Sequence, residues 1–110
     1  MTEFRCDFDG PLPADLEWRV GVLTRHQRWT VEYVWYRKTR RGWHVIVRVA
    51  ETVAPIVTVA VQAMLGSDWK RENYNLARAG QLANVPPSWR EARRWNALYT
   101  SHTQVYRRGA

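Results

Sequence analysis

Apolar and polar side chains alternate strictly at the start of the chain. In "FRCDFD", residues 4–9, Phe4, Cys6 and Phe8 alternate with polar residues. Because successive side chains of a β-strand point to opposite faces, this pattern predicts a short, half-buried strand. The "GPLP" stretch at residues 10–13 ends that strand, since Gly and Pro are the strongest local breakers of regular structure.

Two further strands are predicted in the middle of the chain. The stretches "WTVEYVWYRKT" and "WHVIVRVAE" are rich in β-branched and aromatic residues. They predict a hairpin with strands at about 30–38 and 43–51, joined through a basic turn that ends at Gly42.

In the C-terminal part, the pattern predicts a helical turn at 88–94 and a last strand near 95–107.

A first helix is predicted between the first strand and the hairpin. Leu16, Val20 and Leu23 recur at helical spacing after Asp15, a residue type favoured at helix N-caps. Gly21 is a weak point in this helix because glycine has a low helix propensity.

A second helical region is predicted after the hairpin. Pro55 suits the first turn of a helix and Gly66 suits the position after its end, although the β-branched residues of "IVTVAVQAML" leave a strand as the alternative. The following stretch "SDWKRENYNLARA" predicts another short helix, capped by Ser67 or Asp68.

The resulting order, β-α-β-β-α-(α)-β, predicts the fold class. It is the order of α+β ferredoxin-like, RNA-recognition-motif-like (RRM-like) βαββαβ folds, in which a four-stranded antiparallel sheet has helices on one face. In that topology strands 1 and 3 are the central neighbours and the other face is open to ligands. At 110 residues, the chain is expected to form a single domain spanning residues 1–110.

The charge of the chain narrows the expected partners. There are 17 Lys and Arg residues against 10 Asp and Glu residues, for a formal net charge of +7. A small basic domain most often binds nucleic acid, and an acidic membrane surface is the weaker alternative. No apolar run approaches the length of a membrane span, so no membrane insertion is expected. With a single cysteine and no signal-peptide pattern, we expect a cytoplasmic protein.

The candidate functional residues lie on the predicted open face of the sheet. If Phe4, Cys6 and Phe8 face the helices, the intervening residues face outward, and strand 3 adds its own polar positions beside them. The candidate site residues on this face are Asp7, Asp9, His44 and Arg48.

Two carboxylates separated by one residue on a strand can serve a metal site. Their backbone positions lie about 7 Å apart, and their oxygens can converge on Mg²⁺ or Mn²⁺. Such ions bridge to substrate phosphates and support nucleotidyl transfer. Asp68 or Glu72 would supply a third carboxylate. The structural alternatives are that Asp9 and Gly10 form a turn, and that Asp68 only caps a helix.

Phosphate contacts are expected around the metal site. His44 and Arg48 would hold phosphate oxygens, and the basic turn would guide the nucleic-acid backbone through Arg37, Lys38, Arg40 and Arg41. Tyr36 and Trp69 are the aromatic residues that could stack on bases.

These stretches together resemble the archaeo-eukaryotic primase superfamily. The resemblance is carried by "DFD" on the first strand, "TRRGWHVIV" on the hairpin and an acidic residue after the next helix. "LGSDWKRENYNLARA" is similar to segments of small phage and plasmid primase-like proteins. The resemblance implies that Asp7 and Asp9 bind metal ions, that Asp68 stands where a third aspartate is expected, and that His44 is the nucleotide-phosphate histidine.

A second resemblance keeps a non-catalytic function open. "RRGWHVIV" is also similar to the strand-3 signature of RNA-recognition motifs, which bind single-stranded DNA or RNA. The sequence therefore leaves open an enzyme of nucleotidyl transfer in DNA replication and a plain binding module. DNA, RNA and nucleotides are the expected ligands, and a homodimer or a replication partner protein is left open.

Overall fold

The elements of the fold are taken from a computed structural model. It describes residues 1–82, 95–96 and 105–109, and for residues 81–82 and 105–109 it describes the backbone only. In chain order the elements are β1 (Thr2–Asp9), α1 (Leu16–Arg25), β2 (Val31–Lys38), β3 (Gly42–Val49), α2 (Pro55–Leu65), α3 (Trp69–Leu82) and β4 (Val105–Gly109).

Strand β3 lies between β1 and β2 and is antiparallel to both. Asp7 of β1 lies opposite His44, which in turn lies opposite Arg37 of β2. The pairing of β2 with β3 shifts between Val31 and Tyr33, which is the signature of a β-bulge. The predicted hairpin and its basic turn are therefore confirmed, with an irregularity that the alternation did not indicate.

The apolar face of the sheet packs against α1 and α2. The predicted burial of Phe4, Cys6 and Phe8 is confirmed, since each is at most 5% exposed. Burial raises the pKa of the Cys6 thiol, which keeps it in its neutral form. The helices contribute apolar side chains to the same cluster: Leu16, Leu23, Val61 and Leu65.

The predicted helix limits are confirmed at several ends. α2 begins at Pro55, and Gly66 follows it with a left-handed φ of 100°, the usual conformation of a glycine after a helix. The Asp68 side chain accepts a hydrogen bond from the Lys70 N–H at 3.4 Å and so caps α3. None of the helices within the described residues is long and apolar enough to cross a membrane.

The predicted ferredoxin-like, RRM-like fold with a four-stranded sheet is wrong. Within residues 1–82 the arrangement is α+β, with a three-stranded antiparallel sheet in the order β1-β3-β2 and three helices. β1 is an edge strand of this sheet, whereas the predicted topology places it in the centre. The short segment β4 runs antiparallel to β2, at the opposite edge.

In the described part of the chain, no strand pairs with the outer edge of β1. The backbone groups that would bond to a further strand bond instead to Gln62 in α2 and to residues 67–68 after it. The Arg5 N–H donates to Gln62 Oε1 at 2.9 Å, and the Asp7 N–H donates to Ser67 Oγ at 3.0 Å. The Asp7 carbonyl accepts from the Asp68 N–H at 2.6 Å. At Arg5 and Asp7, this edge therefore has backbone hydrogen bonds without a neighbouring strand.

A buried polar cluster supports these contacts, and we name it the edge clamp. The Glu72 carboxylate, 4% exposed, accepts hydrogen bonds from Ser67 Oγ at 2.6 Å and from Gln62 Nε2 at 2.8 Å. Arg71 forms an ion pair with Glu72 at 2.6 Å and donates to the Arg5 carbonyl. The edge clamp comprises Gln62, Ser67, Arg71, Glu72, Asn75 and Asn96.

The predicted C-terminal elements fall partly outside the described residues. The helical turn expected at 88–94 lies outside them. Of the strand expected near 95–107, Trp95 and Asn96 form a turn, and the backbone strand runs over Val105–Gly109.

Candidate nucleic-acid interface

The sheet face opposite α1 and α2, named here the far face, carries the candidate residues. The strand registers arrange its side chains in three cross-strand rows, because residues of one face recur at every second position. The rows are Glu3–Arg48–Tyr33, Arg5–Ile46–Trp35 and Asp7–His44–Arg37.

Asp7 and His44 are brought together at one end of the far face. His44 Nε2 lies 3.3 Å from Asp7 Oδ1. His44 is only 5% exposed, whereas the Asp7 side chain is 37% exposed. Among the described residues the buried Nδ1 of His44 has no hydrogen-bond partner. The predicted convergence of this carboxylate and this imidazole is therefore present, with one ring nitrogen left unsatisfied.

The other two predicted carboxylates lie beside Asp7 in different ways. Asp9 is exposed at the end of β1, opposite Gly42. Asp68 is adjacent to Asp7 through its backbone, and its side chain caps α3. Within the described part of the chain, no three His, Cys, Asp or Glu side chains gather closely enough to hold a metal ion. The carboxylates expected to bind Mg²⁺ or Mn²⁺ are thus neighbours along β1 and its edge rather than a preformed ligand set.

Glu72, the alternative third carboxylate, belongs to the edge clamp. Its oxygens accept hydrogen bonds from Ser67, Gln62 and Asn75 and face the Arg71 guanidinium. A carboxylate with these donors is already satisfied, so its role is to hold the α2–α3 corner against β1.

Arg48 lies in the row at the opposite end of the far face from His44. Its Nε pairs with Glu32 at 3.0 Å, and its guanidinium lies 5.5 Å from the centre of the Tyr33 ring. Its hydrogen bond to Tyr33 and the nearby Glu32 charge raise the pKa of Arg48. Arg48 is thus a fixed positive charge beside an aromatic ring, a combination that suits phosphate and base contacts.

Glu3 and Arg5 form a second charged pair on the far face, 2.7 Å apart. Burial alone would raise the pKa of Glu3, but hydrogen bonds from Arg5 and Tyr33 outweigh it, so the pKa falls below its usual value. The carboxylate stays ionised and fixes the Tyr33 hydroxyl at 3.0 Å.

Of the four basic residues of the hairpin, one lies on the far face, one at the end of β2 and two in the turn. Arg37 lies on the far face in the row of His44. Lys38 is exposed, with its ammonium 5.2 Å from the centre of the Trp43 ring. Arg40 and Arg41 are exposed in the turn. Only Arg37 of these four is placed by the strand register beside the Asp7–His44 pair.

The sequence reasoning missed two aromatic residues of the far face. Tyr33 and Trp35 lie side by side on β2, with ring centres 5.5 Å apart and planes at 43°. Tyr36, named as a stacking residue, packs against the apolar core instead. Both faces of "VEYVWYRK" carry aromatic residues, so alternation alone does not orient this strand. Pairing with β3, whose valines face the core, would have assigned the faces.

Trp69, the other aromatic residue named for stacking, lies outside the sheet. It is the first residue of α3 and is exposed, with the Lys70 ammonium 5.9 Å from its ring centre. It therefore does not extend the aromatic pair of the far face.

Comparison with known proteins found no match. No family model, no curated protein and no solved structure matches the chain. The likeness to primase-like proteins therefore stays a prediction, and the function has to be argued from the geometry of the far face.

Proposed function

We propose that the protein binds single-stranded nucleic acid across the far face of its sheet. The observation that carries this proposal is the aromatic pair of Tyr33 and Trp35, flanked by arginines in each of the three rows. Single-stranded nucleic acid is held by aromatic rings that stack on bases and by cations that contact phosphates. On the far face, aromatic rings and arginines lie in the same row or in adjacent rows.

The charges of the far face support the same ligand. Arg5 and Arg48 are oriented by Glu3 and Glu32, and partly exposed ion pairs of this kind add little stability. A phosphate can therefore replace or join the carboxylate partner at small cost. The net charge of +7 adds long-range attraction, which makes binding depend on salt concentration.

Replacing Trp35 by alanine tests the proposal. We expect Trp35→Ala to weaken binding of a fluorescein-labelled single-stranded oligonucleotide about tenfold, because one stacking contact is lost. The measurement is fluorescence anisotropy at low salt, repeated as salt is raised.

Trp18→Ala is the matched control for this experiment. Trp18 is 63% exposed on α1 and also carries a neighbouring arginine, Arg25, 5.5 Å from its ring centre. The Trp18→Ala variant should bind the oligonucleotide like the unmodified protein, because Trp18 is not part of the sheet. Equal losses in the two variants, or no binding by the unmodified protein, would contradict the proposal.

Metal-dependent nucleotidyl transfer is the second candidate function. It is favoured by one contact, the hydrogen bond from the Asp68 N–H to the Asp7 carbonyl, which brings the start of α3 beside the two aspartates of β1. Mg²⁺ and Mn²⁺ prefer carboxylate oxygens, and Asp7, Asp9 and Asp68 are the residues that would hold them.

A primer-extension assay separates the two functions. For the enzyme we expect Mn²⁺-dependent incorporation of nucleotides on a single-stranded template, abolished in Asp7→Ala and Asp9→Ala. Asp15→Ala, which removes a carboxylate on the α1 side, should remain active. If the folded protein binds the template but incorporates nothing with Mn²⁺ or Mg²⁺, the chain is a binding module without this activity.

A further inference from the structure

The exposed side of α2 is entirely apolar. The helix has 11 residues, "PIVTVAVQAML", and none of them is charged. Ile56 is 51% exposed and Val57 is 43% exposed. The exposed residues of α2 are Ile56, Val57, Ala60, Ala63 and Met64. A helix side that faces water usually carries polar or charged residues, so this side has the composition of a contact surface.

The outward side of α1 continues this apolar strip. Leu23 packs in the core, so Trp18 and Arg25, seven residues apart, lie on the opposite side of the helix. The two helices meet where the Arg19 guanidinium donates to the Met64 carbonyl at 3.4 Å. Their outward sides form one surface, named here the helix surface, which comprises Trp18, Arg25, Ile56, Val57, Ala60, Ala63 and Met64.

An aromatic ring and a cation lie together at the border of the helix surface. The Arg25 guanidinium lies 5.5 Å from the centre of the Trp18 ring, and its Nη2 donates to the Trp18 carbonyl at 3.2 Å. Trp18 is 63% exposed. An indole and an arginine each combine an apolar body with a polar end, so this pair suits a boundary between an apolar and a charged environment.

The composition of the helix surface restricts its partner. The partner has to accept apolar side chains and attract cations at the same place. A bilayer that contains anionic lipids does both, since apolar side chains enter the acyl region, indoles lie at the headgroups and arginines contact phosphates. The net charge of +7 favours the same partner, and an apolar helix of 11 residues has the length of interfacial segments.

A second copy and a nucleic acid fit the helix surface less well. The exposed strip of α2 is about 16 Å long, so two copies that met there would bury less than the roughly 1,200 Å² of a stable protein interface. Each copy would also bring a net charge of +7. A nucleic acid would find neither a hydrogen-bond donor nor an aromatic ring among the exposed side chains of α2.

We infer that the helix surface binds the surface of an anionic lipid bilayer, with α2 lying in the plane of the membrane. Ile56 and Val57 enter the acyl region, and Arg25 contacts a lipid phosphate. The inference goes beyond the proposed nucleic-acid binding, which uses the far face. Because the helix surface and the far face lie on opposite sides of the sheet, a membrane-bound molecule keeps its far face open to water.

Vesicle flotation tests the inference with the full chain. One set of vesicles contains equal parts of phosphatidylglycerol and phosphatidylcholine, and the other contains phosphatidylcholine alone. At low salt we expect binding to the anionic vesicles to be at least about tenfold tighter than binding to the neutral ones. Binding should weaken as salt is raised, because salt screens the attraction of the arginines for the headgroups.

Val57→Glu tests the apolar strip. We expect at least about a tenfold loss of binding to anionic vesicles, because the variant places a negative charge where the acyl region is contacted. An acidic residue in the first turn of a helix is favourable, so the fold should be kept, and cooperative thermal unfolding confirms it. Ala60→Glu repeats the test one turn further along α2. Arg40→Gln is the control for net charge, since it makes the same change in the hairpin turn and should alter binding by about twofold or less.

Two further pairs of variants test the border of the helix surface. Arg25→Gln should weaken binding to anionic vesicles about fivefold, whereas Arg40→Gln makes the same chemical change away from the helix surface. Trp18→Ala should weaken vesicle binding and leave oligonucleotide binding unchanged, and Trp35→Ala should do the reverse.

The outcomes decide between the bilayer and other partners. Binding to anionic vesicles that is lost in Val57→Glu and Arg25→Gln, and kept in Arg40→Gln, supports the inference. Equal effects of Arg25→Gln and Arg40→Gln overturn it in favour of general charge attraction. Absence of binding at low salt, or binding that survives Val57→Glu and Ala60→Glu, also overturns it. Sedimentation velocity without lipid tests self-association, and a dimer that Val57→Glu dissociates would assign the helix surface to a second copy instead. The oligonucleotide experiments on the far face are independent of all these outcomes.

Discussion

Gly42 illustrates how much one residue constrains the end of the sheet. It starts β3 opposite Asp9, where the chain leaves β1 and the Gly10 N–H donates to the Arg41 carbonyl at 2.8 Å. A Cβ at position 42 would overlap the Phe8 carbonyl oxygen and would lie 2.7 Å from the Gly10 nitrogen. The obstacle is backbone on both sides, so no side chain can move aside to relieve it.

Gly42→Ala is therefore expected to destabilise the protein. We expect a loss of about 3 kcal/mol in the free energy of unfolding, the upper range for forcing a methyl group into a packed site. Urea denaturation monitored by tryptophan fluorescence measures it.

Gly80→Ala is the opposite case and serves as its control. Gly80 lies in α3, and in the described part of the chain a Cβ there would meet no heavy atom within 4 Å. This variant should gain about 0.5–1 kcal/mol from helix propensity. If the two glycine replacements have the same effect, the close approach at Gly42 is not what determines stability.

The residues of the far face also show which roles spacing can predict. Asp7 and His44 were placed on one face by alternation alone, and the register confirms that they meet. The orphaned Nδ1 of His44 was not predictable, because it depends on which ring nitrogen the Asp7 carboxylate contacts.

At the scale of elements, the stretch "GSDWKRENYN" acquires a structural explanation. Gly66 ends α2, Ser67 bonds the Asp7 N–H, and Asp68 caps α3. Glu72, four residues after Asp68, accepts hydrogen bonds from donors of the edge clamp. The stretch that resembles primase-like segments thus fastens the α2–α3 corner to the edge of β1, and in doing so it positions the backbone of Asp7.

Ser67→Ala tests the edge clamp. The Ser67 hydroxyl accepts from the Asp7 N–H and donates to Glu72, so its removal leaves a backbone donor unpaired and deprives a buried carboxylate of one donor. We expect a loss of about 2 kcal/mol in the free energy of unfolding. Faster amide hydrogen exchange at Asp7 should accompany it, because the protecting acceptor is gone.

Thr24→Ala provides the comparison, since it removes an exposed hydroxyl from α1. Its effect should lie within about 0.5 kcal/mol of zero, as for most surface changes. A Ser67 variant as stable as this control, with unchanged exchange at Asp7, would show that the outer edge of β1 does not depend on the clamp.

At the scale of the whole molecule, the two faces of the sheet have separate tasks. One face packs α1 and α2 over a continuous apolar core, which supplies the main driving force for folding. The far face carries aromatic rings, arginines and the Asp7–His44 pair in ordered rows. β3 lies in the middle of both faces. Its valines pack in the core and its polar residues lie on the far face, so this one strand contributes to stability and to the proposed binding.

The sequence by itself determined the elements and the side chains that face the core. Alternation and helical spacing are local properties, so β1, the hairpin, α1 and α2 and the burial of Phe4, Cys6 and Phe8 could be predicted from neighbouring residues. The same alternation placed Asp7 and His44 on one face.

Only the tertiary structure decided the order of the strands and the character of the site. Whether the edge of β1 accepts another strand depends on Gln62 and Ser67, which lie 57 and 60 residues away along the chain from their partners Arg5 and Asp7. The bulge in β2 and the aromatic pair on the far face likewise depend on pairing with β3. Hydrogen-bond satisfaction between distant segments has no local signature, so element order placed β1 in the centre of the sheet, although side chains close its outer edge.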